Sequence, residues 1–118
     1  MANKVDFENK LFMIVSSRDR LVLEELGFMY AFNSIKKGWF GQVRVIFWGP
    51  AQLLIIEDEP LQDNLKKMQE IGVETWACKR CAEDLGVVEN LEHLSIKMDY
   101  VGDMLTEMLK KGWRQLTF

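Results

Sequence analysis

The sequence predicts an α/β fold in which a mainly parallel sheet carries helices on both faces. Two observations predict it. Apolar runs alternate with helical patterns from end to end, which implies right-handed strand–helix–strand crossovers. The first run, Lys10-Leu11-Phe12-Met13-Ile14-Val15, is continuously apolar after its lysine, as a strand buried on both faces of a parallel sheet must be. With no internal repeat, low-complexity segment or linker, residues 1–118 read as one domain.

Taken in order, Lys10–Val15 is the first strand. Ser16-Ser17-Arg18-Asp19 supplies helix-capping chemistry. A long helix follows from Arg18 or Asp19 to Lys37, with Gly38 as its stop. Leu21, Phe28, Phe32 and Ile35 fall on one face, widened by Val22, Leu26, Met29 and Tyr30, so this helix should bury more than one side. Gln42 to Trp48 is the second strand, ended by Gly49-Pro50. Ala51 to Ile56 is too short for periodicity to separate helix from strand. Pro60 fits the first position of another helix, Asp58 and Glu59 bring negative charge to its start, and Gly72 closes it.

Val73 to Ala77 is the third strand, and Lys79 to Leu85 a short helix. Glu92 to Met98 alternates, with Leu94, Ile96 and Met98 on one side, and suits a half-exposed edge strand carrying His93. Asp99 is placed to cap a last helix whose apolar face is Tyr100, Val101, Met104, Leu105, Met108 and Leu109. Arg114 to Phe118 is the final strand.

Composition narrows the function classes. The chain is 48% hydrophobic and 28% charged, with a net charge of −3, which argues against a nucleic-acid-binding surface. No run approaches membrane-spanning length, and the apolar run Leu11 to Val15 is too short for a signal-peptide core, so the expected compartment is the cytoplasm. Seven Met, seven Phe and four Trp exceed what a small interior needs, and the surplus suggests a subunit interface.

Both cysteines lie in Trp76-Ala77-Cys78-Lys79-Arg80-Cys81. In a reducing compartment such a pair points to redox, sulfur or metal chemistry. Cys78 is expected at a strand end that meets a helix start, where free N–H groups and the helix dipole favour a thiolate. Lys79 and Arg80 add positive charge beside it, and Cys81 lies within one turn as a resolving thiol. Structural zinc needs four ligands; two cysteines and a distant His93 fall short, so neither metal nor cofactor is expected unless subunits share a site. The alternative is that both cysteines are small buried hydrophobes. Ligands of parallel sheets gather at the carboxyl ends of the strands, which makes Ser16, Ser17, Trp48, Gly49 and Pro50 candidate lining residues beside Cys78.

The chain resembles the DsrE/DsrF-like family over most of its length. The resemblance runs through the apolar first strand, the long first helix and Phe47-Trp48-Gly49-Pro50. It continues through Ile71-Gly72-Val73 and Ala77-Cys78-x-x-Cys81-Ala82-x-x-Leu85-Gly86 to the closing Gly112-Trp113-Arg114-Gln115-Leu116-Thr117-Phe118. It implies a three-layer α/β/α sandwich on a five-stranded parallel sheet and assembly into trimers or hexamers. It also implies a persulfide on Cys78, received from a donor protein and passed to an acceptor protein. Cys81 is not required by the family pattern. Three functions stay open at this point: a sulfur carrier or sulfurtransferase-like subunit, a dithiol–disulfide redox protein using Cys78 and Cys81, and a non-enzymatic oligomeric module that binds a small ligand.

Overall fold

The computed structural model describes residues 9–118. Five strands form one parallel sheet: β1 (Lys10–Val15), β2 (Gln42–Phe47), β3 (Glu74–Cys78), β4 (Lys97–Asp99) and β5 (Arg114–Thr117), in the order β4-β3-β2-β1-β5. Helix α1 joins β1 to β2, as a π-helical stretch Val22–Phe28 continuing into an α-helix Met29–Lys36. Helices α2 (Pro50–Glu57) and α3 (Glu59–Ile71) join β2 to β3. Helices α4 (Lys79–Leu85) and α5 (Val88–His93) join β3 to β4, and α6 (Val101–Lys110) joins β4 to β5.

The order of the strands dictates the layers. From β1 to β4 each crossover steps the same way across the sheet, so right-handed connections put α1 to α5 on one face. The step from β4 to β5 runs back across the whole sheet, and the same hand sends α6 to the opposite face. The core divides accordingly. Leu11, Met13, Val15, Val43, Val45 and Phe47 pack under the helices of the first face, with Leu23, Phe28, Leu61, Leu65 and Leu91. Phe12, Ile46 and Cys78 pack under α6, with Val101, Met108 and Trp113. The result is the expected α/β/α sandwich, with five helices against one in the described residues.

Several local expectations hold. Gly38, Gly72 and Gly86 end their helices at positive φ, the left-handed conformation that glycine adopts without strain. Ala51 to Ile56 resolves as helix α2. Its start needs Gly49 at φ 66 and Pro50 at the first position.

Four local expectations are corrected. The segment Glu92–Met98 is not a strand along its length: Val88–His93 is helical, Ser95 turns at φ 60, and only Lys97–Asp99 pairs with β3. Val87 and Leu91 are buried one turn apart, and this helical spacing outweighs the later alternation. His93 is therefore an exposed residue at a helix end. Leu21 is not on the buried face of α1; it is 61% exposed, while Leu23, Gly27 and Phe28 are buried. The π stretch has more residues per turn than 3.6, which puts a face drawn at that period out of phase. Asp99 does not cap α6. Its Oδ1 accepts from Tyr100 N at 2.7 Å, and Tyr100 occupies the cap position. Pro60 is the second residue of α3, because Asp58 is the N-cap and accepts from Leu61 N at 3.0 Å.

Candidate functional site

The topology singles out one place at the carboxyl edge of the sheet. β3 leaves toward α4 on one face, whereas its neighbour β4 leaves toward α6 on the other. Chains diverging from adjacent strands open a crevice between them. Cys78, the last residue of β3, is the register partner of Asp99, the last residue of β4. The cysteine pair thus stands at the divergence point.

Cys78 is the N-cap residue of α4, with extended backbone (φ −68, ψ 116) and no side-chain capping bond. Its side chain belongs to the layer under α6 and it is 6% exposed. Cys81, the third residue of α4, is half-buried and packs against the same cluster. Both thiols are free. Burial, then a hydrogen bond to Cys78, raise the pKa of Cys81, while the backbone N–H of Gly49 and the side chain of Trp48 oppose the shift. The net effect keeps Cys81 protonated to higher pH than an ordinary cysteine. Its alkylation by iodoacetamide should therefore reach half its limiting rate above the pH at which a free cysteine does. A pH–rate profile, read by peptide mass spectrometry, checks the direction of this shift.

Among the three loops expected to line the site, the structure joins two. The loop after β2 brings Trp48 and Gly49 to Cys81, and Pro50 starts α2 beside them. The loop after β1 turns elsewhere. Ser16 donates from N and Oγ to the carbonyl of Phe118, at 2.7 and 3.3 Å, and Ser17 Oγ accepts from Asp19 N at 2.9 Å. The two cations beside Cys78 have their own partners. Lys79 Nζ lies 5.5 Å over the ring of Tyr100, and Arg80 pairs with Asp84 one turn on, at 3.2 Å and exposed. Tyr100 is 52% exposed and donates to Glu83 Oε2 at 3.0 Å, which pushes its phenol pKa up. Lys79, Glu83 and Tyr100 therefore link α4 to the start of α6 across the crevice.

One residue at the site escaped the sequence reading. Gln52, fully buried in α2, donates from Nε2 to the carbonyls of Phe47 and Cys78, both at 3.0 Å. It ties the ends of β2 and β3 together and fixes the backbone that carries Cys78. Its Oε1 is buried without a partner. A lone polar residue inside the apolar run Ala51 to Ile56 was the signal that could have found it.

Other features lie away from the cysteines. A groove of about 360 Å³ runs between α1 and α3 on the five-helix face, lined by Phe28, Met29, Phe32 and Met68 among others. Among the described residues, no three His, Cys, Asp or Glu side chains are grouped to hold a metal ion. No helix of the described residues is long and apolar enough to cross a membrane.

The DsrE/DsrF-like family model matches residues 10–118, nearly the whole chain. The chain belongs to the DsrE/DsrF-like family. Two solved structures share the fold of this DsrE/DsrF-like chain. A conserved protein of unknown function, BT1422 from Bacteroides thetaiotaomicron, is 31% identical with a TM-score of 0.90, over 94% of this chain and 96% of that one. The ychN protein from E. coli has a TM-score of 0.73 at 14% identity, over 93% of this chain and 99% of that one, a likeness of fold. No curated protein matches this DsrE/DsrF-like chain.

Proposed function

We propose that this DsrE/DsrF-like protein is a sulfur carrier that holds a sulfane sulfur as a persulfide on Cys78 and passes it to a partner protein. The observation that carries the reading is the placement of the Cys78–Cys81 pair at the point where β3 and β4 diverge. Cys78 shares its layer with Cys81, and its backbone is clamped by Gln52. A thiolate accepts sulfane sulfur from a donor persulfide by exchange, and its protonation and access control the rate. The donor and acceptor are expected to be proteins, and the setting a reducing cytoplasm in which both thiols persist.

Leu26, Met29, Trp39 and Leu116 are exposed apolar side chains on α1, the loop after it and β5. In the same proposal they supply the surface of a homo-oligomer, a trimer or hexamer.

The test is sulfur loading. Incubating the native protein with a small-molecule persulfide should add one sulfur atom to the peptide ending at Cys78-Lys79. Trypsin cuts after Lys79 and Arg80, so the two cysteines fall on separate peptides. In a folded Cys81→Ser variant, which has no second thiol to remove the sulfur, the absence of any gain at Cys78 would sink the reading.

A further inference from the structure

We propose that Cys81 discharges the Cys78 persulfide when no acceptor takes its sulfur, releasing hydrosulfide and leaving a Cys78–Cys81 disulfide that only a dithiol reductant resets. This inference rests on the sulfur-carrier reading and adds to it a second activity and a place in a reaction sequence.

The geometry is that of an N-cap residue and the third residue of the helix it caps. Cys78 has the extended backbone of a cap, and Cys81 stands in the first turn of the helix that follows. Both cysteine side chains belong to the layer under α6, where Trp48 packs beside them. The pair therefore combines a nucleophile with a disulfide-forming partner, and no metal-binding group of three ligands competes for it among the described residues.

The step balances without an external oxidant. The Cys81 thiolate attacks Sγ of Cys78, the inner sulfur of the persulfide. The bond from Sγ to the outer sulfur breaks, and its electron pair leaves with the outer sulfur as hydrosulfide, which takes up the proton lost by Cys81. The outer sulfur is reduced to sulfide, and Cys81 is oxidised from thiol to disulfide. Returning the pair to two thiols consumes two electrons and two protons from a dithiol, so a dithiol–disulfide exchange reaction must follow each discharge. An acceptor protein attacking the outer sulfur first would prevent discharge, so the pair sorts sulfur between transfer and release.

The experiment compares wild type with Cys81→Ser, each loaded with a small-molecule persulfide and freed of it by gel filtration. Intact mass and released hydrosulfide are followed with time. Wild type should lose the added sulfur, yield one hydrosulfide per chain and end two hydrogens lighter than the dithiol form. Dithiothreitol should then restore the dithiol mass. Cys81→Ser should keep its sulfur about a hundredfold longer at about 10 μM protein, because a tethered thiol acts at roughly millimolar effective concentration. If the serine variant misfolds by circular dichroism, Cys81→Ala takes its place. Equal persulfide lifetimes in wild type and variant overturn the discharge and leave the carrier reading standing. If neither protein gains sulfur or releases hydrosulfide, both proposals fall.

Discussion

Gln52→Glu should destabilise the protein by about 3–5 kcal/mol at pH 7, the cost of burying an unpaired charge or of keeping the carboxyl protonated to avoid one. The glutamine donates two hydrogen bonds to the carbonyls of Phe47 and Cys78 from a fully buried position. An ionised glutamate in its place would aim an oxygen at both carbonyls and donate nothing. The folded protein would hold this carboxyl protonated, with a pKa raised above its value in the unfolded chain. The native state then binds more protons than the unfolded state, so stability falls as pH rises between those two values. The variant should be close to normal below the ordinary glutamate range, about pH 4, and should weaken steadily above it. Urea midpoints from pH 4 to 8, corrected by the wild-type curve, would show the slope. Gln52→Leu is the control: it loses both bonds without adding a charge and should cost about 2 kcal/mol at every pH. A flat difference between Gln52→Glu and wild type would refute the role assigned to this side chain.

Trp113→Ala should cost about 3–5 kcal/mol, the range for truncating a large buried aromatic. Trp113 is 9% exposed and sits where α6 returns to the sheet, its backbone N–H donating to the Met108 carbonyl at 3.1 Å. It packs against Phe12 with ring centroids 6.4 Å apart. It also covers Arg44, whose guanidinium lies 4.9 Å from its ring and 5.9 Å from that of Trp76 while pairing with Glu74 at 2.6 Å. Losing the indole opens a cavity and wets this ion pair together. Because α6 and Trp113 belong to the layer that buries Cys78, the variant should also expose the thiol. The checks are a lowered denaturation midpoint and a faster reaction of Cys78 with a thiol reagent in native buffer. Stability within 1 kcal/mol of wild type would show that another group anchors α6, since surface changes rarely exceed about 0.5 kcal/mol.

Much of this fold is legible in local chemistry. The run Lys10–Val15 needs burial on both faces and receives it as β1, between β2 and β5. Gly38, Gly72 and Gly86 stop their helices because glycine adopts the left-handed conformation there without strain. The errors came where a period was read over too few residues or at the wrong pitch. Leu94, Ile96 and Met98 alternate, yet Val87 and Leu91 had already committed the preceding segment to a helix turn. In α1 the π stretch packs Gly27 so close to β1 that an added Cβ would meet Val15 Cγ1 at 3.1 Å, and no pattern drawn at 3.6 residues per turn contains that shift.

The sequence by itself determined that the two cysteines share one turn at the end of a parallel strand, because that follows from their spacing and from the pattern on either side. It could not decide what surrounds them. That Cys81 packs in one layer with Trp48 while Ser16 is drawn to Phe118 depends on the strand order β4-β3-β2-β1-β5. Strand order is set by crossovers between distant segments and leaves no local mark. The clamp from Gln52 to Cys78 spans 26 residues. The physical reason is the same for both: local propensity acts over a few residues, whereas the surroundings of a thiol are assembled by burial and hydrogen bonding across the whole chain.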